Sequence, residues 1–316
     1  MSQTALIIAS VFGALFGLVI ILFIAGYFIF SYIIKRKPYS DFGIPRHWTE
    51  KRLAINAKRK PAMEEYKRTE KESLEIKSFD NLTLRAKLWR VENSNKLIIC
   101  IHGYSSHPAR EFSNIAPYLH GLGYNLLFLN DRAHGDSDGK YVGFSVLDRK
   151  DLSLWIDKAV ELFGENSSIF LYGISMGAAT VMLVSGTQIP SAVKGAICDS
   201  GFTSPWLVLK KMIKSEAHLP CFPFLYIVNI YSKIFAKYSF KDTNTLVALK
   251  SAEIPFVFFH GSEDATVSVD MAKQNYAACK SEKELHIVEG AEHVGAYYHD
   301  KTMYENSIKS FLEKWA

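Results

Sequence analysis

The chain has 316 residues, of which 48% are hydrophobic and 22% charged, so its composition excludes an intrinsically disordered protein. Its 19 Gly and 10 Pro follow no repeat, which excludes fibrous and solenoid folds. The four Cys (Cys100, Cys198, Cys221 and Cys279) are far apart, so they indicate neither a disulfide framework nor a zinc site. The net charge of +5 is local, because residues 35–71 hold 12 basic and 5 acidic side chains and the remainder sums to −2. This basic segment follows an apolar one, which favours an acidic membrane surface over nucleic acid as its partner.

An uncharged segment opens the chain. Ala5 to Ile34 comprises 30 residues without a charged side chain, and a helix needs only about 20 residues to cross a bilayer. We therefore predict one transmembrane helix within an anchor of residues 1–37. A cleaved signal peptide is the alternative, but residues 1–4 lack the basic side chain that precedes its apolar core. The basic residues 35–37 predict a single-pass cell-membrane protein whose globular part is cytoplasmic.

One feature within this segment and one after it each allow two interpretations. Gly13 and Gly17 form a G-x-x-x-G that either packs two anchors together or reflects the usual glycine content of membrane helices, which leaves the oligomeric state unknown. Residues 38–71 are predicted to be a basic juxtamembrane connector with a helix from about Thr49 to Arg59. That helix either lies at the level of the lipid headgroups or is a solvated charged linker.

After residue 72, short apolar runs alternate with segments of helical length. Residues 74–79 and 82–88 alternate apolar and polar around Asp80-Asn81, which predicts an antiparallel hairpin with one exposed face. Nearly continuous apolar runs, typical of strands covered on both faces, follow at 96–103, 124–130, 168–175, 193–200, 254–261 and 284–290. Helices are predicted near 109–122, 144–163, 176–186, 268–281 and 300–315. The alternation predicts one α/β domain over residues 72–316, with a mostly parallel central sheet and helices on both faces.

One strand ends in a motif typical of nucleophilic catalysis. The run Gly173-Ile-Ser175-Met-Gly177 matches G-x-S-x-G where a buried strand meets a helix. Glycine is needed on both sides of the serine because a side chain would crowd the neighbouring strand or helix in so sharp a turn. The helix that follows directs backbone N–H groups at developing negative charge. We therefore predict Ser175 as the nucleophile.

A serine nucleophile needs a His as base and a carboxylate to orient that His, in the chain order Ser, acid, His. Asp264 follows one buried strand and His293 follows the next, at the sheet edge where ligands bind in open α/β sheets. We predict these two residues as acid and base. The rival acids are Glu263, Asp270 and Asp199, and the other candidate histidines are His299 and His286.

When the serine attacks, negative charge develops on the carbonyl oxygen of the substrate, and two backbone N–H donors stabilise it. One donor follows the nucleophile and the other follows the third strand. The corresponding residues are Met176 and Tyr104, and Gly103 allows the backbone to approach a substrate closely. His102 precedes the serine in the chain, so we interpret it as a residue that packs the loop.

The chain resembles the serine-hydrolase branch of the α/β-hydrolase superfamily over about residues 72–316. The resemblance rests on His102-Gly103, the loop Asp131–Gly139, the turn Gly173–Gly177, Gly261–Asp264 and His293. The loop is similar to the D-x-R-G-H-G-x-S-x-G run of esterases, lysophospholipases and acylglycerol lipases, with Ala133 in place of the usual Gly, and we interpret it as structural. The resemblance implies the α/β-hydrolase fold and an enzyme without cofactor or metal. Membrane-anchored bacterial lysophospholipase-like and peptidase-like members are the most similar.

An aromatic insertion of about residues 201–250 separates the sixth and seventh strands, and it is longer than an ordinary crossover. It either caps the nucleophile and lines an acyl pocket, or its aromatic side chains only pack it onto the domain. The predicted function is hydrolysis of carboxylic esters, lipid-like or of the lysophospholipid or monoacylglycerol type, at a membrane. A peptidase or amidase with the same residues and a non-catalytic binding protein on this fold are the alternatives.

Overall fold

The computed structural model describes residues 2–37 and 49–316. Its strands are β1 (Glu72–Lys77), β2 (Thr83–Trp89), β3 (Lys96–Ile101), β4 (Asn125–Asn130), β5 (Ser168–Ile174), β6 (Val193–Asp199), β7 (Phe256–Gly261) and β8 (Lys283–Val288). They form one sheet in the order β1-β2-β4-β3-β5-β6-β7-β8. The first two strands pair antiparallel as the predicted hairpin, β2 also pairs antiparallel with β4, and all later pairs are parallel. The predicted mostly parallel sheet is confirmed.

Burial of the strands follows their composition with one exception. β2 alternates between buried and half-buried residues, whereas β3 to β7 are buried along nearly their whole length. The prediction that residues 284–290 form a strand covered on both faces was wrong. β8 is the last strand of the sheet, Val288 is its only buried residue, and Ile287 is exposed. Charged residues such as Lys283 and Glu284 suit such an edge because they oppose pairing with another chain.

Helices connect the strands at nearly the predicted positions. They are α1 (Gln3–Ile34), α2 (Glu50–Arg68), α3 (Pro108–Phe112), α4 (Ala116–Gly121), α5 (Asp148–Phe163), α6 (Met176–Ser185), α7 (Pro205–Lys211), α8 (Cys221–Tyr231), α9 (Thr245–Ala248), α10 (Val269–Ala278), α11 (Ala296–His299) and α12 (Lys301–Trp315). The segment predicted as one helix near 109–122 is instead divided into α3 and α4. Pro117 stands in the first turn of α4, where its missing N–H costs no helical hydrogen bond.

Helix α1 is long and apolar enough to cross a membrane, but its final turns belong to the folded domain. Phe30 and Ile34 are fully buried in the same hydrophobic core as the sheet. Val142 donates its backbone N–H to the carbonyl of Ile34 at 2.8 Å. The guanidinium of Arg36 donates to the carbonyl oxygens of Ser137, at 2.6 Å, and Gly135, at 2.5 Å. The apolar helix is therefore joined directly to the domain.

Helix α2 extends beyond the predicted end at Arg59, to Arg68. It rests on the globular part: the buried Arg59 donates from Nε to the hydroxyl of Tyr298 at 3.0 Å, and Lys51 forms a 2.7 Å ion pair with Glu263. Residues 38–48 of the predicted connector lie outside the described residues. The predicted domain boundaries stay predictions.

Candidate active site

The turn between β5 and α6 holds Ser175 in an unusual backbone conformation, with φ 55° and ψ −111°. Its two glycines are required by space. A Cβ on Gly173 would lie 2.3 Å from the carbonyl oxygen of Gly177, and a Cβ on Gly177 would lie 2.1 Å from the carbonyl oxygen of Ile101. Real Cβ atoms do not approach backbone so closely, so this strand-to-helix turn can form only with glycine at both positions. It presents the serine hydroxyl at the carboxyl edge of the sheet.

The structure brings the three predicted side chains together. Ser175 Oγ lies 2.9 Å from Nε2 of His293, and Nδ1 of that ring lies 2.6 Å from Oδ2 of Asp264. Both distances are those of hydrogen bonds. With Nδ1 protonated, the ring donates to the carboxylate and its Nε2 is left to accept from the serine hydroxyl. The arrangement can withdraw the serine proton and stabilise the resulting imidazolium.

Asp264 is held ionised by its surroundings. Burial raises the pKa of this carboxyl, but the charges and hydrogen bonds of His293 and His260 outweigh burial and hold the pKa well below its ordinary value. Its Oδ1 accepts the backbone N–H groups of Thr266 and Val267 at 2.8 and 2.7 Å. Oδ2 is thereby directed at the two imidazoles, with Nε2 of His260 at 3.2 Å. His260 is not among the predicted site residues, although a His four residues before the predicted acid was a visible signal.

The rival acids have other partners. Asp199 accepts from the hydroxyl of Tyr304 at 2.8 Å and of Ser200 at 2.8 Å, and burial raises its pKa. Glu263 is exposed and paired with Lys51. Neither carboxylate contacts the ring of the candidate base among the described hydrogen bonds.

The remaining candidates lie elsewhere in the domain. Asp270 is exposed in the first turn of α10, His286 stands within β8, and His299 ends α11. His102 is fully buried, and its Nε2 accepts the backbone N–H of Asp131 at 3.3 Å. Burial lowers the pKa of His102, which keeps the ring neutral in that role. This contact fits its interpretation as a residue that packs the loop.

The predicted N–H donors flank the serine. Met176 is the first residue of α6, and Tyr104 follows β3 beyond Gly103. A Cβ on Gly103 would lie 3.2 Å from Cβ of Ser175, so the two loops are in close contact there. The hydroxyl of Tyr104 donates to the carbonyl of Ile33 in α1 at 2.8 Å, which links this loop to the apolar helix.

The loop Asp131–Gly139 forms a buried support beneath the site. Arg132 makes two hydrogen bonds with the carboxylate of Asp151, at 2.6 and 2.7 Å, and a further ion pair with Asp80. Ala133 has φ 60°, a conformation that favours glycine, which accounts for the Gly that similar loops place there. The loop has a structural role in these contacts.

The insertion 201–250 contains α7, α8 and α9, and π-helical turns follow α7 and α8. Its aromatic residues divide into two groups. Phe202 and Phe240 are buried, with ring centroids 6.2 and 5.2 Å from Phe144, which in turn lies 5.4 Å from Tyr104. Others, including Phe222, face solvent. The insertion is thus linked through Phe144 to the loop beside the serine, and it also presents an outer apolar face.

Within residues 2–37 and 49–316, no group of three or more His, Cys, Asp and Glu side chains could hold a metal ion. The four cysteines are free thiols, three of them buried.

Comparisons with known proteins bear on the fold and the type of enzyme. The sequence profile of a hydrolase family described as serine aminopeptidase, S33, matches residues 92–247. The fold is similar to that of the Pyrococcus furiosus esterase Pf2001, with a TM-score of 0.65 and 25% identity, covering 86% of this chain and 96% of the other. Est1E from Butyrivibrio proteoclasticus, solved with ferulic acid, has a TM-score of 0.58 and 20% identity over 77% of this chain and 98% of its own, a likeness in fold alone.

The uncharacterized protein YqkD of Bacillus subtilis is 26% identical over 222 residues, which is 70% of this chain and 72% of YqkD. The family profile is described by a peptidase and the similar structure is an esterase, and both belong to the hydrolases. The chain has the α/β-hydrolase fold and is a serine hydrolase.

Proposed function

We propose that this enzyme hydrolyses carboxylic esters through an acyl-enzyme on Ser175, with His293 as base and Asp264 as the residue that orients it. The observation that supports the proposal is the continuous series of hydrogen bonds from the serine hydroxyl to the carboxylate. The esterase among the similar structures supports an ester rather than another acyl substrate.

The reaction proceeds in two steps, acylation of Ser175 and hydrolysis of the acyl-enzyme. Ser175 Oγ bonds to the ester carbonyl carbon while its proton passes to Nε2 of His293, and the backbone N–H groups of Tyr104 and Met176 stabilise the oxyanion. The carbon–oxygen bond to the alcohol then breaks, and the imidazolium returns the proton to that alcohol. A water molecule, deprotonated by the same imidazole, cleaves the acyl-enzyme and releases the acid with the serine restored.

We further propose that α1 anchors the enzyme in the cell membrane with the domain in the cytoplasm, and that the substrate is lipid-like, of the lysophospholipid or monoacylglycerol type. The exposed apolar surface of α1 supports the anchor, and the basic residues that follow it support the orientation. The aromatic insertion beside the site supports an apolar acyl group. Protease added outside intact cells should leave residues 72–316 uncut until the cells are permeabilised. Cleavage without permeabilisation would reverse the orientation.

Labelling with a fluorophosphonate probe tests the nucleophile. We expect Ser175→Ala to abolish labelling and ester turnover, while Ser191→Ala, a change at an exposed serine, leaves both intact. His293→Ala should cause a comparable loss, and His299→Ala should not. A folded Ser175→Ala protein that is still labelled would refute the assignment.

Matched esters and amides test the substrate class, because the family profile is described by a peptidase. We expect p-nitrophenyl esters to be cleaved faster than p-nitroanilides of the same acid. Lengthening the acyl chain by four methylenes should raise kcat/KM by about a hundredfold, since each buried methylene is worth about 0.8 kcal/mol and part of that energy appears in the transition state. The full chain must be used, since α1 is part of the core. A fall in kcat/KM with chain length, or faster amide cleavage, would favour the peptidase.

A further inference from the structure

The apolar helix α1 packs along the insertion. The segment Cys221–Ala236, which we call the insertion helix, consists of α8 and the π-helical turn that follows it. Its Tyr231 donates from the hydroxyl to the carbonyl oxygen of Phe23 in α1 at 3.0 Å. A Cβ on Gly26 would lie 2.3 Å from Cγ2 of Ile227, so the two helices approach closely at a glycine. The contact fixes the position of the insertion helix relative to α1.

The length of α1 sets the depth of this contact in a bilayer. The domain first touches α1 at Leu22, so residues 3–21 lie before the contact. At about 1.5 Å per residue these residues span roughly 28 Å, which matches the ~30 Å hydrocarbon core. The part of α1 that holds the insertion helix therefore lies at the boundary between acyl chains and headgroups.

The outer face of the insertion helix is apolar. Large side chains recur every four residues and are exposed: Phe222 by 77%, Tyr226 by 49%, Ile230 by 41% and Ile234 by 51%. Residues at this spacing lie on one side of a helix. The backbone of Phe222 is not helical, but its ring joins the stripe through contact with Tyr226, with centroids 6.1 Å apart. Val228, on the opposite side, is fully buried in the core. In the described part of the protein, the ring of Tyr226 also contacts Trp206, with centroids 5.5 Å apart, and the ammonium of Lys241 at 5.4 Å. The exposed surface of the stripe faces water.

Basic side chains accompany the stripe. Residues 205–241 contain six Lys and one acidic residue, and five of these lysines are exposed: Lys210, Lys214, Lys233, Lys237 and Lys241. They have the same sign as residues 35–37 at the end of α1. An apolar face with a basic border is the composition of helices that lie in the surface of an anionic membrane.

We propose that the outer face of the insertion helix is a second membrane contact, embedded at the acyl–headgroup boundary of the leaflet from which α1 emerges, with anionic lipid around its lysines. The face adjoins the lipid-exposed surface of α1 through the contact at Gly26, which favours lipid over a second protein chain. Phe144 packs both on Phe240 of the insertion and on Tyr104 in the loop beside Ser175, so a membrane contact of the insertion would place the site near lipid. The proposal rests on the membrane anchoring proposed above and is independent of the hydrolytic reaction.

Depth-dependent fluorescence quenching tests the contact in the full chain. A Cys221→Ser background removes the one cysteine that is not buried. An environment-sensitive fluorophore is then attached at Ile230→Cys or Ile234→Cys, and the protein is reconstituted in phosphatidylcholine vesicles with and without phosphatidylglycerol. Spin labels near the headgroup should quench both positions more strongly than labels near the bilayer centre. Phosphatidylglycerol should increase the quenching.

Two control positions separate the possible failures. Ile287→Cys, an exposed aliphatic residue on the last strand of the sheet, should not be quenched. Leu15→Cys, within α1, should be quenched by the deep label if the anchor is correct. Quenching at Leu15 without quenching at Ile230 and Ile234 overturns the second contact alone. Emission changes at Ile230 that depend on protein concentration rather than on lipid would assign the face to a second copy of the chain and also overturn it.

A charge-introducing variant tests the consequence for catalysis. The double variant Ile230→Asp and Ile234→Asp should cleave a long-chain ester held in vesicles roughly tenfold more slowly, because burial of each aliphatic side chain is lost. Its rate on a water-soluble short-chain ester should be unchanged. Val247→Asp, at an exposed aliphatic residue outside the insertion helix, is the matched control and should affect neither rate. Equal rates on vesicles for the double variant and the wild type would overturn the proposal.

Discussion

Replacing the carboxylate of Asp264 by an amide tests the proposed triad of Ser175, His293 and Asp264, because the surrounding hydrogen bonds determine how the amide must be oriented. Oδ1 accepts two backbone N–H groups, from Thr266 and Val267. The carbonyl oxygen of Asn must take that place, so its NH₂ group takes the place of Oδ2 and faces His293. An NH₂ group donates to Nδ1, which leaves the ring proton on Nε2. That nitrogen can then no longer accept the proton of Ser175.

The expected cost follows from this change of tautomer. Serine hydrolases that lose the productive tautomer lose about ten-thousandfold in kcat, which corresponds to about 5.5 kcal/mol in the activation barrier. Asn has nearly the same shape as Asp, so the fold should persist. We therefore expect Asp264→Asn to lower kcat for a p-nitrophenyl ester by a factor of about 10³ to 10⁴, with little change in KM.

The assay compares steady-state turnover with the thermal transition of each variant in the same detergent or lipid. Glu263→Gln and Asp270→Asn are matched controls, because both acids are exposed and neither contacts the imidazole among the described contacts. They should stay within about threefold of the wild type, as expected for surface changes. A folded Asp264→Asn protein that keeps a tenth of the activity would refute the reasoning.

Three further changes give distinct outcomes. Gly177→Ala should abolish folding or activity, because its Cβ would lie 2.1 Å from the carbonyl oxygen of Ile101. Gly121→Ala is the control: its Cβ would have no neighbouring atom within 4 Å, so the melting temperature should fall little. Burial and neighbouring carboxylates raise the pKa of Asp148 to about 8. The pKa of an Asp in the unfolded chain is about 4, so between pH 4 and pH 8 only the folded state holds this proton, and the free energy of unfolding falls as the pH rises. Asp148→Asn should flatten the resulting fall in melting temperature across this range. His260→Leu removes a donor to the triad carboxylate and offers no N–H in its place, so kcat should fall about tenfold with KM unchanged. An equal change in KM would contradict a positioning role.

The central sheet and the candidate triad could be predicted because both depend on local rules. Six apolar runs separated by helical segments dictate parallel strands, and parallel strands bring their carboxyl ends to one edge. Ser175, Asp264 and His293 each follow such a strand, so their proximity depended on the order of elements and not on details of packing. The glycines of the turn marked a place where the backbone itself is constrained.

Contacts between distant segments could not be predicted in this way. The packing of α2 depends on Arg59 reaching Tyr298, and no periodicity in either segment indicates the other. The contact of His260 with the carboxylate of Asp264 depends on the side-chain rotamer of a buried ring in β7. The apolar pattern of a strand does not encode that rotamer. The prediction that β8 is covered on both faces was wrong because β8 lies at the edge of the sheet, where an apolar strand is buried less than the same strand would be at the centre.

The uncharged N-terminal segment illustrates a more general limit of sequence patterns. Its 30 uncharged residues exceed the bilayer requirement, and the excess had no assigned purpose in the sequence. In the structure that excess is the part of α1 that enters the core, binds the insertion helix and accepts the hydroxyl of Tyr104 at Ile33. Hydrophobicity alone cannot distinguish a helix surface covered by lipid from one covered by protein, since both remove apolar area from water. Under the proposed anchoring, the boundary between the lipid-covered and the protein-covered part of α1 is set by packing partners far along the chain, and it falls within the helix.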